Sequence, residues 1–141
     1  MARPAKREVN HDDATRDDAK RDEATREATL RSLTAECLRF RDARDWKQFH
    51  NAKDLALTLS LEAAEVLEHV QWRNGRELEQ HLRENHEHVA DELADVLNVL
   101  LLLAEHLNVD LADAFAKKMR KNEKKYPVEK SRGSAKKYTQ L

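Results

Sequence analysis

A chain of 141 residues with two glycines and two prolines has few places to turn. Ordinary usage, about 7% Gly and about 5% Pro, would supply several times as many. Sheets need tight turns, and tight turns draw on those residues. An all-β or many-turned α/β fold is therefore excluded, and helices are expected. Charged residues make up 38% of the chain, and most fall in stretches with helical spacing. Other classes fall away for separate reasons. The N-terminus is polar and acidic, without the apolar stretch of a signal peptide, and Cys37 has no partner for an internal disulfide. The longest apolar run, Val99 to Ala104, is far short of the roughly 20 residues that cross a bilayer. With 26 Lys+Arg against 27 Asp+Glu, the net charge of -1 gives no general pull toward nucleic acid. A cytoplasmic, all-α protein without membrane attachment is the expectation.

Residues 1–28 form a charged arm with one Val and no Leu, Ile or aromatic residue. A five-residue repeat runs through it: DDATR, DDAKR, DEATR, EATLR. Five residues advance a helix by about 500°, so the repeat draws no apolar stripe, and the arm reads as a frayed helix or a disordered segment. From Thr29 the pattern changes. Leu30, Leu33, Cys37 and Phe40 recur at helical spacing, predicting a helix to about Arg44. The stretch DWKQFHN, residues 45–51, breaks the period and reads as a loop. A second helix is expected from about Ala52 to Gln71, with Asn74-Gly75 as a stop, and a third from about Glu77 to Leu107. Asp110 caps a fourth helix that runs through Lys125 and ends at Pro127. The result is a four-helix bundle over residues 29–127, followed by a basic tail over 128–141 with Tyr138 and Leu141 as anchors. Leu or Val fills nearly every position from 96 to 103 apart from Asn98, so the third helix needs cover on several sides and predicts a homo-oligomer.

Two acid pairs stand out. Glu62 and Glu65 are one helical turn apart on the second helix, as are Glu92 and Asp95 on the third. Each pair begins where an apolar residue is expected, in the stripes Leu55, Leu59, Glu62, Val66 and Val89, Glu92, Val96, Val99. Antiparallel neighbours would bring the pairs together, and the carboxylates would then repel unless protons or a cation lay among them. An all-oxygen set suits a hard cation, Mg²⁺ first and Mn²⁺ second. A solvated acidic face is the plain alternative. A di-iron bundle wants Glu-x-x-His, whereas Glu68 and Asp95 stand at that offset. His69 and His88 lie one turn from the acids.

Trp46, with Phe49 and His50 beside it, and Trp72 fit no core stripe cleanly and could stack a nucleobase, or simply be buried. Lys118, Lys121, Asn122 and Lys125 cluster on the fourth helix and could hold phosphates. No Gly-rich phosphate loop, cysteine–histidine zinc pattern or nucleophile motif is present.

Together these residues resemble the MazG-like all-α nucleoside triphosphate pyrophosphohydrolases, whose motif is E-x-x-E followed by E-x-x-D. It reads here Glu62-Ala-Ala-Glu65 and Glu92-Leu-Ala-Asp95. The segments RDWKQFHNAKDLALTLSLEAAEVLEHVQW, DELADVLNVLLLLAEHLNVDL, KMRKNEKKYP and SRGSAKKYT look like the dCTP pyrophosphatase branch, in the same order, from about Phe40 to Tyr138. The resemblance implies that Glu62, Glu65, Glu92 and Asp95 hold Mg²⁺ against the phosphates of a deoxynucleoside triphosphate. Attack of water at the α-phosphorus would release pyrophosphate, with Glu62 or Glu65 orienting the water. Trp46, Lys47, Gln48, Phe49, His50 and Trp72 would hold base and sugar, Asp95 would also meet substrate, and Lys118, Asn122 and Lys125 would hold phosphates, from a neighbouring subunit of a homotetramer built as a dimer of dimers. The branch carries His where this chain has Cys37 and Tyr where it has Val99. Both positions resemble substrate contacts, so the resemblance implies the metal chemistry while leaving the preferred pyrimidine, dCTP, a modified dCTP or dUTP, open. The expected role is cleaning of the nucleotide pool. The alternative from another class is a non-catalytic helical module that binds a partner or nucleic acid through its basic tail.

Overall fold

The computed structural model describes residues 29–140, and among them every regular element is helical. In order these are α1 (Leu30–Asp42), a 3₁₀ turn (Trp46–Phe49), α2 (Ala52–Val70), α3 (Gly75–Glu84), α4 (His86–His106), α5 (Leu111–Lys125), the short α6 (Val128–Ser131) and a second 3₁₀ turn (Tyr138–Gln140). The charged arm expected over residues 1–28 and the anchor expected at Leu141 lie outside the described residues.

The helix starts follow from their caps. Thr29 and Ser32 form a reciprocal capping box: Thr29 Oγ1 accepts from the Ser32 N–H at 3.2 Å, and the Thr29 N–H donates to Ser32 Oγ at 2.9 Å. Asn51 Oδ1 accepts from the Asp54 N–H and starts α2, and Asp110 Oδ1 accepts from the Asp113 N–H and starts α5, both at 3.0 Å. Two sequence expectations change. The third helix is not continuous: it divides at Asn85 (φ -113°, ψ 26°) into α3 and α4. There the Asn85 side-chain amide donates back to the His81 carbonyl at 2.9 Å, and the Asn85 N–H goes to the same oxygen. An Asn that bonds locally to backbone offers the chain an alternative to the helical ladder. The 45–51 loop carries a 3₁₀ turn, which Asp45 enters in the left-handed region at φ 54°.

Most helix–helix packing joins α2 to α4, with α1 laid against α4. Leu55, Val99 and Leu102 are the buried centre, with Cys37, Leu38, Leu59 and Leu103 packed around them. Fully burying each such Leu or Val contributes about 2 kcal/mol. Leu55, early on α2, meets Leu102, late on α4, while Glu65 approaches Glu92 nearer the other ends. That register belongs to an antiparallel pair, as the stripes require. Helix α5 stands apart from this packing and leaves Phe115 and Met119 exposed. At its end Tyr126 and Tyr138 pack edge to face at 5.8 Å, and Lys125 Nζ lies 4.8 Å from the Tyr138 ring, so Tyr138 anchors the tail as expected.

Candidate functional site

The α2–α4 register brings three of the four acids together. Glu62, Glu65 and Glu92 each offer a carboxylate oxygen, and these atoms all lie within 4.8 Å of one another. Asp95 stands outside that set, yet its charge acts on both Glu62 and Glu92. The Glu62 carboxyl is pushed above the ordinary glutamate value by desolvation first, then by the charges of Glu65, Asp95 and Glu92. Glu92 is pushed the same way by desolvation, by the charge of Glu65 and by a hydrogen bond to Glu65, with His69 partly opposing the shift. Carboxylates that raise one another in this way are ones that a cation would relieve, and an all-oxygen donor set fits a hard divalent ion. The residues present therefore fit Mg²⁺ or Mn²⁺.

Glu62 also borders a cavity of about 220 Å³ between α1, the first 3₁₀ turn, α2 and α4. Its apolar wall includes Phe40, Trp46 and Phe49. Phe40 and Trp46 meet edge to face at 5.9 Å, and the Arg44 guanidinium lies 3.5 Å from the centre of the Phe40 ring. That stack fixes the Trp46 indole at the cavity's edge. His50 lines the cavity too. Burial, then the charge of Arg41, then that of His106 lower its pKa below the ordinary histidine value. Cys37 and Val99 line the same space, and burial raises the Cys37 pKa, keeping it a thiol. The acid cluster and the cavity thus share Glu62, which suits a ligand with an anionic end and a planar end.

The other sequence candidates lie elsewhere in the single chain. Lys47 and Gln48 occupy the 3₁₀ turn without lining the cavity, and Gln48 instead donates to Asp45 Oδ2 at 2.8 Å. Trp72 sits in the turn between α2 and α3, 90% exposed and in the left-handed region at φ 70°. Lys118, Asn122 and Lys125 lie on α5, apart from the acid cluster. His69 bonds His81 across the α2–α3 turn, Nδ1 to Nε2 at 3.3 Å. Sequence reasoning missed Arg41, Asp54, Thr58 and Asn98, all of which line the cavity. Two signals were there to find. Arg41 falls one turn after Cys37 on the apolar stripe of α1, and Asn98 interrupts the apolar run of α4.

Comparison with known proteins places this geometry. The model of the MazG-like family matches residues 57–141. Rat dCTP pyrophosphatase 1 is 43% identical over 104 residues, covering 72% of this chain and 61% of the rat protein. The human dCTP pyrophosphatase 1 is 39% identical over the same length, again covering 61% of that protein. The chain thus spans about three fifths of the length of these curated relatives. Among solved structures, a pyrophosphatase from Archaeoglobus fulgidus is similar, with a TM-score of 0.66 and 38% identity over 70% of this chain and 92% of that one. With the family model matching more than half its length, and with the acid motif of both α2 and α4 drawn to one point, the chain belongs to the MazG-like family.

Proposed function

We propose that this protein is a divalent-metal-dependent nucleoside triphosphate pyrophosphohydrolase that converts dCTP, or a related pyrimidine dNTP, to the monophosphate and pyrophosphate. The observation that carries the reading is the convergence of Glu62, Glu65 and Glu92 within 4.8 Å beside an aromatic-walled cavity. The names of the relatives, dCTP pyrophosphatase 1, favour dCTP among the bases. Residues 29–127 form the enzymatic domain in this reading, with 1–28 as a charged arm and 128–141 as a basic tail.

Glu62, Glu65, Glu92 and Asp95 would hold Mg²⁺, with Mn²⁺ as a substitute, and the ion would neutralise phosphate charge and favour ionisation of water at the site. Glu62 or Glu65 orients the water and takes its proton. The water oxygen bonds to the α-phosphorus, the bond to the bridging oxygen breaks, and pyrophosphate leaves with that oxygen. Trp46, Lys47, Gln48, Phe49, His50 and Trp72 hold the base and sugar, and Lys118, Asn122 and Lys125 hold phosphates from a neighbouring subunit. Exposed Leu57, Leu61, Leu67 and Leu93 on α2 and α4 support such an assembly, a homotetramer built as a dimer of dimers. No helix among the described residues is long and apolar enough to cross a membrane. The proposed role is that of a cytoplasmic enzyme of nucleotide-pool housekeeping.

The test is hydrolysis of a panel of dNTPs and NTPs with Mg²⁺, products separated by chromatography. Conversion of dCTP to dCMP and pyrophosphate, lost in Glu65→Gln with the fold intact, is the expected result. A well-folded oligomer that leaves every nucleotide intact with either metal would sink the proposal.

A further inference from the structure

Arg41 is a buried charge that the acid chemistry does not use. It is 8% exposed and lines the same cavity as Glu62 and Trp46. Its Nε and Nη2 both end on one oxygen, Oδ1 of Asp42, at 2.7 Å and 2.6 Å. That leaves Nη1 with no partner among the described residues. His50, on the same cavity, has a buried Nδ1 that also lacks a partner there. Buried polar groups are nearly always hydrogen-bonded, so the orphaned His50 Nδ1, with the unpaired Nη1 of a largely buried guanidinium on the same small cavity, marks a place where a ligand's polar atoms belong. Cys37, Phe40, Val99 and Leu102 on the same lining offer no strong donor or acceptor, so polar contacts to a ligand fall to Arg41, His50, Asp54, Thr58, Glu62 and Asn98.

A guanidinium only donates, so what meets it must accept. The ring that stacks on Trp46 and Phe49 must therefore present an acceptor, such as a carbonyl oxygen, toward α1. We infer that Arg41 is a specificity-determining residue that donates to a ring carbonyl of the nucleobase, so that the site favours bases carrying a carbonyl over adenine, which carries none. This rests on the nucleotide reading above and deepens it. A site built to hydrogen-bond a substrate group rejects an analogue that lacks it, because its own polar atoms are then left unpaired.

The test compares kcat/KM for dCTP, dUTP and dATP with Mg²⁺ in the wild type, Arg41→Met and Arg41→Lys. Methionine keeps the aliphatic stem, and Asp42 has 55% of its side chain exposed, so the change strands no buried charge. In Arg41→Met the dCTP-to-dATP and dUTP-to-dATP ratios should each fall by about 10- to 100-fold. Arg41→Lys should fall between, because the charge stays while the planar fork is lost; it also serves as the measurement should the methionine variant fail to fold. An equal loss on all three substrates, or unchanged ratios, would overturn the inference. Calorimetric binding of dCMP against dAMP reads the same ratio without turnover. If the wild type hydrolyses nothing, the pyrophosphohydrolase reading fails by itself. The Arg41 inference then fails separately if the substitution leaves the dCMP-to-dAMP binding ratio as it was.

Discussion

Glu62 and Glu92 share a cost that, among the described residues, His69 relieves only in part and only at Glu92. Both carboxyls are raised above the ordinary value of 4.5 by burial and by each other's neighbours. A carboxyl raised on folding contributes its stability below the ordinary value, and that contribution is lost as pH rises through the folded value. The metal-free protein should therefore weaken as pH climbs from mildly acid toward neutral, and Glu62→Gln should flatten that fall in urea titrations across pH. Mg²⁺ at 100 times its Kd should add about 2.7 kcal/mol to the wild type at neutral pH. It should add much less at pH 5, where protons compete for the same oxygens. Trp72 offers a different residue-scale prediction. A large aromatic at φ 70° is strained, and at 90% exposure it packs on little within its own chain. Trp72→Gly should leave stability within about 1 kcal/mol by chemical denaturation, relief of strain offsetting the freer unfolded chain. KM for the nucleotide should still rise, because in the proposed assembly Trp72 meets the base.

Helix α2 carries half of the acid motif, so its start matters to the site. Asn51→Ala removes the side-chain acceptor for the Asp54 N–H and should cost about 1 kcal/mol in denaturant midpoint. The apolar stripes, the acid pairing and the cap at Asp110 were legible in the residues, whereas Asn51 read only as the end of a loop. Glu62 and Glu92 stand where an apolar residue belongs, and an antiparallel pair brings such positions face to face. The break at Asn85 was not legible, because the periodicity continues across it and only a local side-chain bond to the His81 carbonyl divides the helices. Arg41 was hidden for a related reason. An arginine reads as a solvated face unless its place on the stripe is counted, and here the stripe position prevails. Trp72, Lys118, Asn122 and Lys125 could be singled out by residue type. Their partners, however, are not set by any contact within one chain, so neither spacing nor a single protomer brings them to the cavity.

At the scale of the whole molecule, one chain buries little by itself among the described residues. Its described apolar core is Leu55, Val99, Leu101, Leu102 and Ala104, while Leu57, Leu61, Leu67 and Phe115 are more than half exposed. Light scattering at micromolar concentration should report a species larger than one chain, and Phe115→Asp on α5 should shift it toward smaller forms. In the proposed assembly a chain with so small a core would have its fold bound to its abundance, since partners that bind only the folded form stabilise it by mass action. Dilution then acts as a denaturant: the melting temperature should climb with protein concentration, and the specific activity should sag as the enzyme is diluted.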